Sequence, residues 1–464
     1  MKLIHAVGLA VLMLLSTAAH AQEPMNLTLE QCVETALQKN PEIRMAEKEL
    51  SKARAGIGES FATLLPKVSA SANFQRAMEI QENVMPNFIK AAMRLPDGSY
   101  VLPEVALMPD YLKIAFGIRY TFMYGATMTQ PVFLGGAGMA GIKIAGGAKK
   151  AAEGTLEAKR QSLVFNTVNA FNACLLAREV IEVQEQAVAQ AQANLDLVKK
   201  KFDAGTASGF DKMRAEVDLA NLKPQLISAR NGYQSAITGL RMLMGLPEET
   251  TLEIQGRLEY VEDGMDSLSL AEIEAKARQF RPEFSMLRAQ QSMASGGVWI
   301  ARSQFLPKVF FQTDYSFLGM RNDYHFVQDD MSKGFTYAFS VQIPLFGGFN
   351  NWLGYHKARM DYKIAKDSQK QLGDGIAAEV EISYHKFHES RQKHQSAKES
   401  IAMAEEAMRL ANLMYEEGAS TQLDVMGAHL ALTQARLNFA SSLYEYQMSR
   451  YGLRKSTGLL NGVL

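Results

Sequence analysis

Four stretches of the chain alternate between apolar and polar side chains. Val68, Ala70, Ala72 and Phe74 alternate with Ser69, Ser71, Asn73 and Gln75. Val309, Phe311, Thr313, Tyr315 and Phe317 alternate with Phe310, Gln312, Asp314 and Ser316. In the other two stretches, Tyr120, Phe122, Tyr124, Ala126 and Met128 share one face, as do Phe335, Tyr337, Phe339, Val341 and Ile343. A period of two puts successive side chains on opposite sides of an extended strand. Strands of about ten residues, apolar and aromatic on one side and polar on the other, suit a membrane barrel with a wet interior. A soluble β-sandwich produces the same alternation.

The period changes after Pro131 and Pro344. A Gly- and Ala-rich stretch, Gly135 to Gly147, leads into a run of helical character reaching Phe202, and after Pro344 the chain has no proline. About 60 helical residues extend roughly 90 Å, too long for the core of a globular domain, so the pattern predicts a coiled coil. Ile181, Val188, Leu195 and Phe202 recur at the spacing of such a seam, beside Ala177, Ala191 and Val198. His394, Ile401, Met408 and Tyr415 repeat it, beside Ala397, Ala404 and Ala411. Gly205 and Gly418 stop these helices, and a second helix returns in each case; Pro224 predicts a kink in the first return helix.

These elements occur twice. Leu65-Pro66-Lys67-Val68 returns as Leu306-Pro307-Lys308-Val309 at an offset of 241 residues, and beyond Pro131 the offset is 213, linking Gly205 to Gly418 and Asp211 to Asp424. The difference gives the first copy 28 extra residues between Pro66 and Pro131. The chain then divides as follows. Residues 1–21 are a signal peptide. A first repeat, 22–246, has strands near 67–77 and 118–130, an inserted loop near 78–112, and long helices near 137–203 and 210–246. A linker covers 247–266. A second repeat, 267–464, has strands near 308–318 and 334–343 and helices near 350–416 and 423–460. The insertion, with Pro86, Pro96, Pro103, Pro109 and Asp97-Gly98, reads as a loop or small subdomain at the outer end of a strand hairpin.

Composition narrows the picture. In 464 residues the 49 basic and 49 acidic side chains balance, so no field favours nucleic acid. Met1-Lys2, an apolar stretch from Ala6 to Leu15, and Ala19-His20-Ala21 predict a cleaved secretory signal. Cys32 has no lipobox before it, so no lipid anchor is expected. No later apolar run is long enough for a membrane helix, which leaves a soluble exported protein or a barrel. Four strands cannot close a membrane barrel, since known ones need about eight. A barrel here must pool strands between chains.

The signal peptide, the paired strand and helical hairpins, and several short stretches together resemble the TolC-type outer membrane efflux family. The stretches are Asn40-Pro41-Glu42, Leu65-Pro66-Lys67, Gln130-Pro131-Val132-Phe133, Ile343-Pro344-Leu345-Phe346-Gly347-Gly348, and Tyr415-Glu416-Glu417-Gly418 through Asp424-Val425. The resemblance covers nearly the whole mature chain. It implies a mainly α protein with membrane β-strands, a homotrimer whose 12-stranded β-barrel sits in outer-membrane lipid and continues as a helical periplasmic tunnel. It also implies a periplasmic adaptor protein and an inner-membrane pump of the RND, ABC or MFS class as partners. The duct would have no chemistry of its own. The rival reading is a soluble periplasmic coiled-coil scaffold or adaptor.

The same resemblance points to a periplasmic gate and to docking tips. Asp424 matches an acidic residue that closes the family's periplasmic mouth, but Gly427 stands where the family's second acid is usual. Asp211, with Arg214 three residues on, is the first-copy counterpart. Asp211 and Asp424 can equally serve as caps of the helices they begin. Gly205, Thr206, Ala207 and Ser208, with Gly418, Ala419, Ser420 and Thr421, form two small, smooth tips expected to meet the adaptor. No catalytic motif, cofactor or metal site is expected. His385, His388 and Glu389 share a helix face at metal-ligand spacing but read as a solvated surface. The 25 methionines read as flexible packing.

Overall fold

The computed structural model describes residues 25–115, 117–262, 264–325 and 331–460. The signal-peptide reading lies outside the described residues. The fold is mainly helical. In chain order it comprises β1 (Met25–Leu27), α1 (Leu29–Lys39), α2 (Pro41–Ala62), β2 (Lys67–Arg76), β3 (Glu82–Pro86), α3 (Phe88–Ala92), β4 (Tyr111–Ala115) and β5 (Tyr120–Leu134). There follow α4 (Ala137–Asp203), α5 (Gly209–Leu243), β6 (Leu252–Ile254), α6 (Leu270–Phe280), α7 (Pro282–Ser303), β7 (Lys308–Arg321), β8 (Ser332–Gln342), α8 (Asn350–Glu416) and α9 (Gln422–Thr457).

The chain divides into two compact units, each drawing on both sequence copies. One holds residues 56–145 and 294–360. Its centre is a four-stranded antiparallel sheet in the order β2-β5-β7-β8. The two sequence copies meet where β5 pairs with β7, and a bulge between Pro131 and Phe133 shifts that register near the strand end. Gly125 lets the pair close, because a Cβ there would lie 2.6 Å from the backbone oxygen of Tyr315. The insertion folds as a small subdomain of this unit. β3 pairs antiparallel with β4. Buried Asn87 donates to the Pro109 carbonyl at 3.0 Å and accepts from the Lys90 amide at 3.1 Å. The sequence pattern anticipates a loop or small subdomain here; its proline punctuation conceals the two-strand ladder inside it.

The other unit contains most of the helical length. Four helices in it begin with a reciprocal capping box, in two repeat-related pairs: Thr28 with Gln31 and Ser269 with Glu272, then Ser208 with Asp211 and Thr421 with Asp424. The start signals of these helices are therefore kept in both copies. α4 and α8 each run 67 residues. α5 continues through Pro224, whose missing N–H breaks one bond but not the helix.

Of the apolar clusters that hold the long helices, three matter most here. Phe387, Val380, Tyr446, Leu453 and Ile273 form one, with Phe387 and Tyr446 fully buried and 5.8 Å apart ring to ring. Ala191, Leu195, Val198, Ala215, Leu219, Met408, Tyr415 and Val425 form another near the helix turns. The predicted seam is present in both copies except at its first-copy end, where Phe202 is 39% exposed. Its ring lies 5.2 Å beneath the Lys212 ammonium, so the turn and not the seam receives it. A third cluster buries Cys32 and Cys174 as free thiols, and burial pushes each up to about 12, far from a reactive thiolate.

Candidate functional site

The two helical turns are built alike. Gly205 and Gly418 adopt φ of 76° and 75°, the left-handed conformation that closes a helix at low cost only for glycine. The Thr206 amide reaches the Lys201 carbonyl at 2.8 Å and the Ala419 amide reaches the Met414 carbonyl at 2.7 Å. This is the same six-residue closure in both copies, and it leaves Gly205, Thr206, Ser208, Gly418, Ala419 and Thr421 exposed. Ala207 instead turns inward against the neighbouring apolar cluster. The two tips lie side by side. Lys201 donates to the Tyr415 carbonyl at 2.7 Å while its ammonium sits 4.0 Å over the Tyr415 ring.

Asp211 and Asp424 are the third residues of their helices and complete the capping boxes. Oδ2 of Asp424 accepts from the Thr421 amide at 2.9 Å, the Thr421 hydroxyl at 2.6 Å and the Ser420 hydroxyl at 3.0 Å. Oδ2 of Asp211 accepts from the Ser208 amide and hydroxyl at 3.1 and 2.7 Å. These bonds favour the ionised form, led by the hydroxyls of Thr421 and Ser208, and hold both carboxyls below the ordinary aspartate range. Arg214 lays its guanidinium 4.7 Å over the Phe210 ring, and its charge is the weakest of the influences on Asp211. The structure thus brings the two tips together and makes both aspartates caps. A fixed carboxylate is also a fixed negative charge at an exposed tip.

In the sheet, register decides what faces what. Val68, Ala70, Ala72 and Phe74 pair with Met128, Ala126, Tyr124 and Phe122. Tyr124, Ala126 and Met128 pair in turn with Phe317, Tyr315 and Thr313, which with Phe311 and Val309 pair with Lys333, Phe335, Tyr337, Phe339 and Val341. All four apolar sets therefore lie on one side of one sheet. Tyr124 stacks on Phe317 at 4.8 Å and Phe311 meets Phe339 at 4.9 Å. Cross-strand aromatic pairs of this kind stabilise a sheet face. Among the described residues nothing covers the β8 side of it, where Phe335, Tyr337 and Phe339 are 67–71% exposed. The other side carries Ser69, Ser71, Asn73, Thr127, Thr129, Gln312, Asp314, Ser316 and Thr336.

Asp314 is the one acid of β7 and stands in the polar phase of its alternation.

The comparisons agree with this geometry. A family model described as outer membrane efflux protein matches residues 32–246 and 275–459. The cobalt-zinc-cadmium resistance protein CzcC of Cupriavidus metallidurans is 24% identical over 84% of this chain and 91% of its own. Outer membrane protein TolC of Escherichia coli is 20% identical over 98% of this chain and 86% of its own. Among solved structures, the Campylobacter jejuni CmeC outer membrane channel superposes with a TM-score of 0.76 at 19% identity, covering 93% of this chain and 86% of that one. The outer-membrane channel OprN gives 0.75 at 17% identity, covering 93% and 89%. The chain belongs to the outer membrane efflux protein family, the passive TolC-type channels of the Gram-negative outer membrane that reach into the periplasm.

Proposed function

We propose that three copies of this chain form the exit duct of a tripartite efflux pump or type I secretion system. In this reading the duct conducts solutes passively from an inner-membrane pump and a periplasmic adaptor to the outside. One observation carries the reading: the sheet of β2, β5, β7 and β8 has an apolar face, a polar face and two open edges. Among the described residues, β2 and β8 each present a row of backbone groups without strand partners, which lipid does not tolerate. Pairing β8 of one copy with β2 of the next removes both edges, and three copies close twelve strands. β2 is 10 residues long; such a strand extends roughly 34 Å. Tilted by about 40°, it rises roughly 25 Å, the height of the apolar band of such barrels.

The tips Gly205–Ser208 and Gly418–Thr421 supply the adaptor contact, since small exposed residues at two adjacent helix turns leave a low, smooth surface. Asp424 supplies a ring of three negative charges at the periplasmic mouth, with Asp211 and Arg214 beside it. The pump is of the RND, ABC or MFS class, and it selects the cargo.

The test is reconstitution of the purified mature protein in a planar bilayer, with its mass in detergent measured alongside. Stepwise conductance from a particle of three chains is the expected result. A water-soluble monomer without conductance returns the reading to a periplasmic scaffold.

A further inference from the structure

On the polar face of the sheet, register lines up Ser69, Thr127, Asp314 and Thr336 in one row across all four strands. The hydroxyls of Thr127 and Thr336 therefore flank a single carboxylate, with Ser69 one strand further along the row. Asp314 accepts from the Thr127 hydroxyl at 2.5 Å and from the Gln312 amide at 2.8 Å. Both donors are neutral, so they fix the carboxylate without cancelling its charge. The next row, Ser71, Gly125, Ser316 and Gly334, carries only small side chains and leaves the carboxylate overhung by nothing large on that side.

The placement of charge along the strands is uneven. Asp314 is the one carboxylate in β2, β5, β7 and β8. The remaining charged side chains of these strands are Lys67, Arg76, Lys308, Arg321 and Lys333, and each stands at a first, second or last position. Lys308, on the same face as Asp314, donates to Gln304 at 2.9 Å, and Arg321 pairs with Asp323 at 2.8 Å. Two cations share the face of Asp314: Lys308 lies six positions along β7, roughly 20 Å away, and Lys67 lies two residues along and two strands across, roughly 12 Å away. Both distances exceed the screening length of about 8 Å at physiological salt. Asp314 is therefore the charge that acts on the middle of the polar face at close range. A carboxylate on the opposite face would meet lipid, at a cost that would exclude it.

We propose that Asp314 is a specificity-determining residue of the barrel: three copies at one height in the lumen form a carboxylate ring, lined by hydroxyls, that favours cationic over anionic solutes. This rests on the trimeric-barrel reading above. Threefold symmetry fixes the common height whatever the strand tilt. The carboxylates supply a field, and the hydroxyls of Ser69, Thr127 and Thr336 supply oxygen lone pairs for hydrated cations.

The experiment compares the full mature chain with Asp314→Asn and Asp314→Glu in planar bilayers under a potassium chloride gradient. It is repeated in an Asp211→Asn, Asp424→Asn background, which removes both tip carboxylates from the measurement. Asn keeps the volume and the bond from Thr127, meets Gln312 through a flipped amide, and loses the charge. The potassium-to-chloride permeability ratio is expected to fall by roughly two-fold in the Asn variant and to hold in the Glu variant. Block by magnesium added on the barrel side should weaken in parallel. If Asp314→Asn fails to assemble, Asp314→Ser is read the same way. Conducting channels with an unchanged reversal potential and unchanged block overturn the carboxylate ring and leave the duct standing. Absence of conductance from every form, the unaltered chain included, overturns the duct and the ring with it.

Discussion

Asp424 shows how one carboxylate can carry two roles that sequence cannot separate. Its three hydrogen bonds to Thr421 and Ser420 make it a cap, and its exposure makes it a charge at the tip. Substitution by Asn separates them, because Asn still accepts from Thr421 but carries no charge. Asp424→Asn should raise single-channel conductance and weaken block by multivalent cations from the periplasmic side, with the melting curve little changed. Asp424→Ala should add fraying of α9, read as faster amide exchange in its first turn. Equal conductance in all three proteins would reduce Asp424 to a cap. The motif and its position were legible in the sequence. The capping geometry was not, because it depends on the turn conformation that Gly418 permits. Gly427, the sixth residue of α9, stands where the family resemblance implies a second acid, so any gate here rests on fewer charges.

At the level of elements, apolar period and punctuation located the long helices well, since a run without proline between a glycine-rich start and a single glycine stop has few other outcomes. The seam was legible where both copies kept bulky residues, and it failed at Phe202, where a cation in the turn competes for the ring. Less legible was the polar content of the seam. His394 is buried between α8 and α9 elements, with Tyr260 stacked at 5.2 Å and Ser442 Oγ at 3.3 Å from Nδ1. Burial, and then the charge of Lys398, hold its pKa below the usual histidine value; His429 is lowered in the same way by burial. A base with a depressed folded pKa is stabilising above its unfolded pKa of about 6.5, and that contribution is lost as pH falls through the folded value. Thermal stability of the helical unit should therefore hold from pH 8 to about pH 7 and fall below about pH 6.5. His394→Phe, which keeps the stack without the proton, should flatten part of that fall. A pH-independent melting temperature across this window in the unaltered chain would contradict the buried neutral imidazoles.

The whole molecule is where sequence reading came closest to function and where it stopped. Alternation gave the apolar and polar residues of each strand, and the count of four strands already required other chains to close a barrel. It could not give the pairing, and a slip of one residue at β5 and β7 would have put one copy's aromatics on the polar side. The observed register removes that ambiguity and makes a sharp prediction from two adjacent residues of β8. Phe339 lies on the apolar face with Phe311, and Ala338 lies on the polar face with Gln312. If the first face meets lipid and the second meets water, the same lysine has opposite consequences one position apart. Phe339→Lys places an ammonium in the hydrocarbon at a cost of roughly 2–4 kcal/mol per chain near the midplane, paid three times in a trimer. It should strongly reduce the assembled form recovered from the outer-membrane fraction. Ala338→Lys should assemble at normal yield and shift the reversal potential toward chloride, because its charge enters the lumen. A soluble scaffold would respond to neither by changing membrane fraction, and a sheet facing the other way would reverse the two results. The pair of lysines therefore tests orientation, environment and register together, using positions that differ by a single step along the chain.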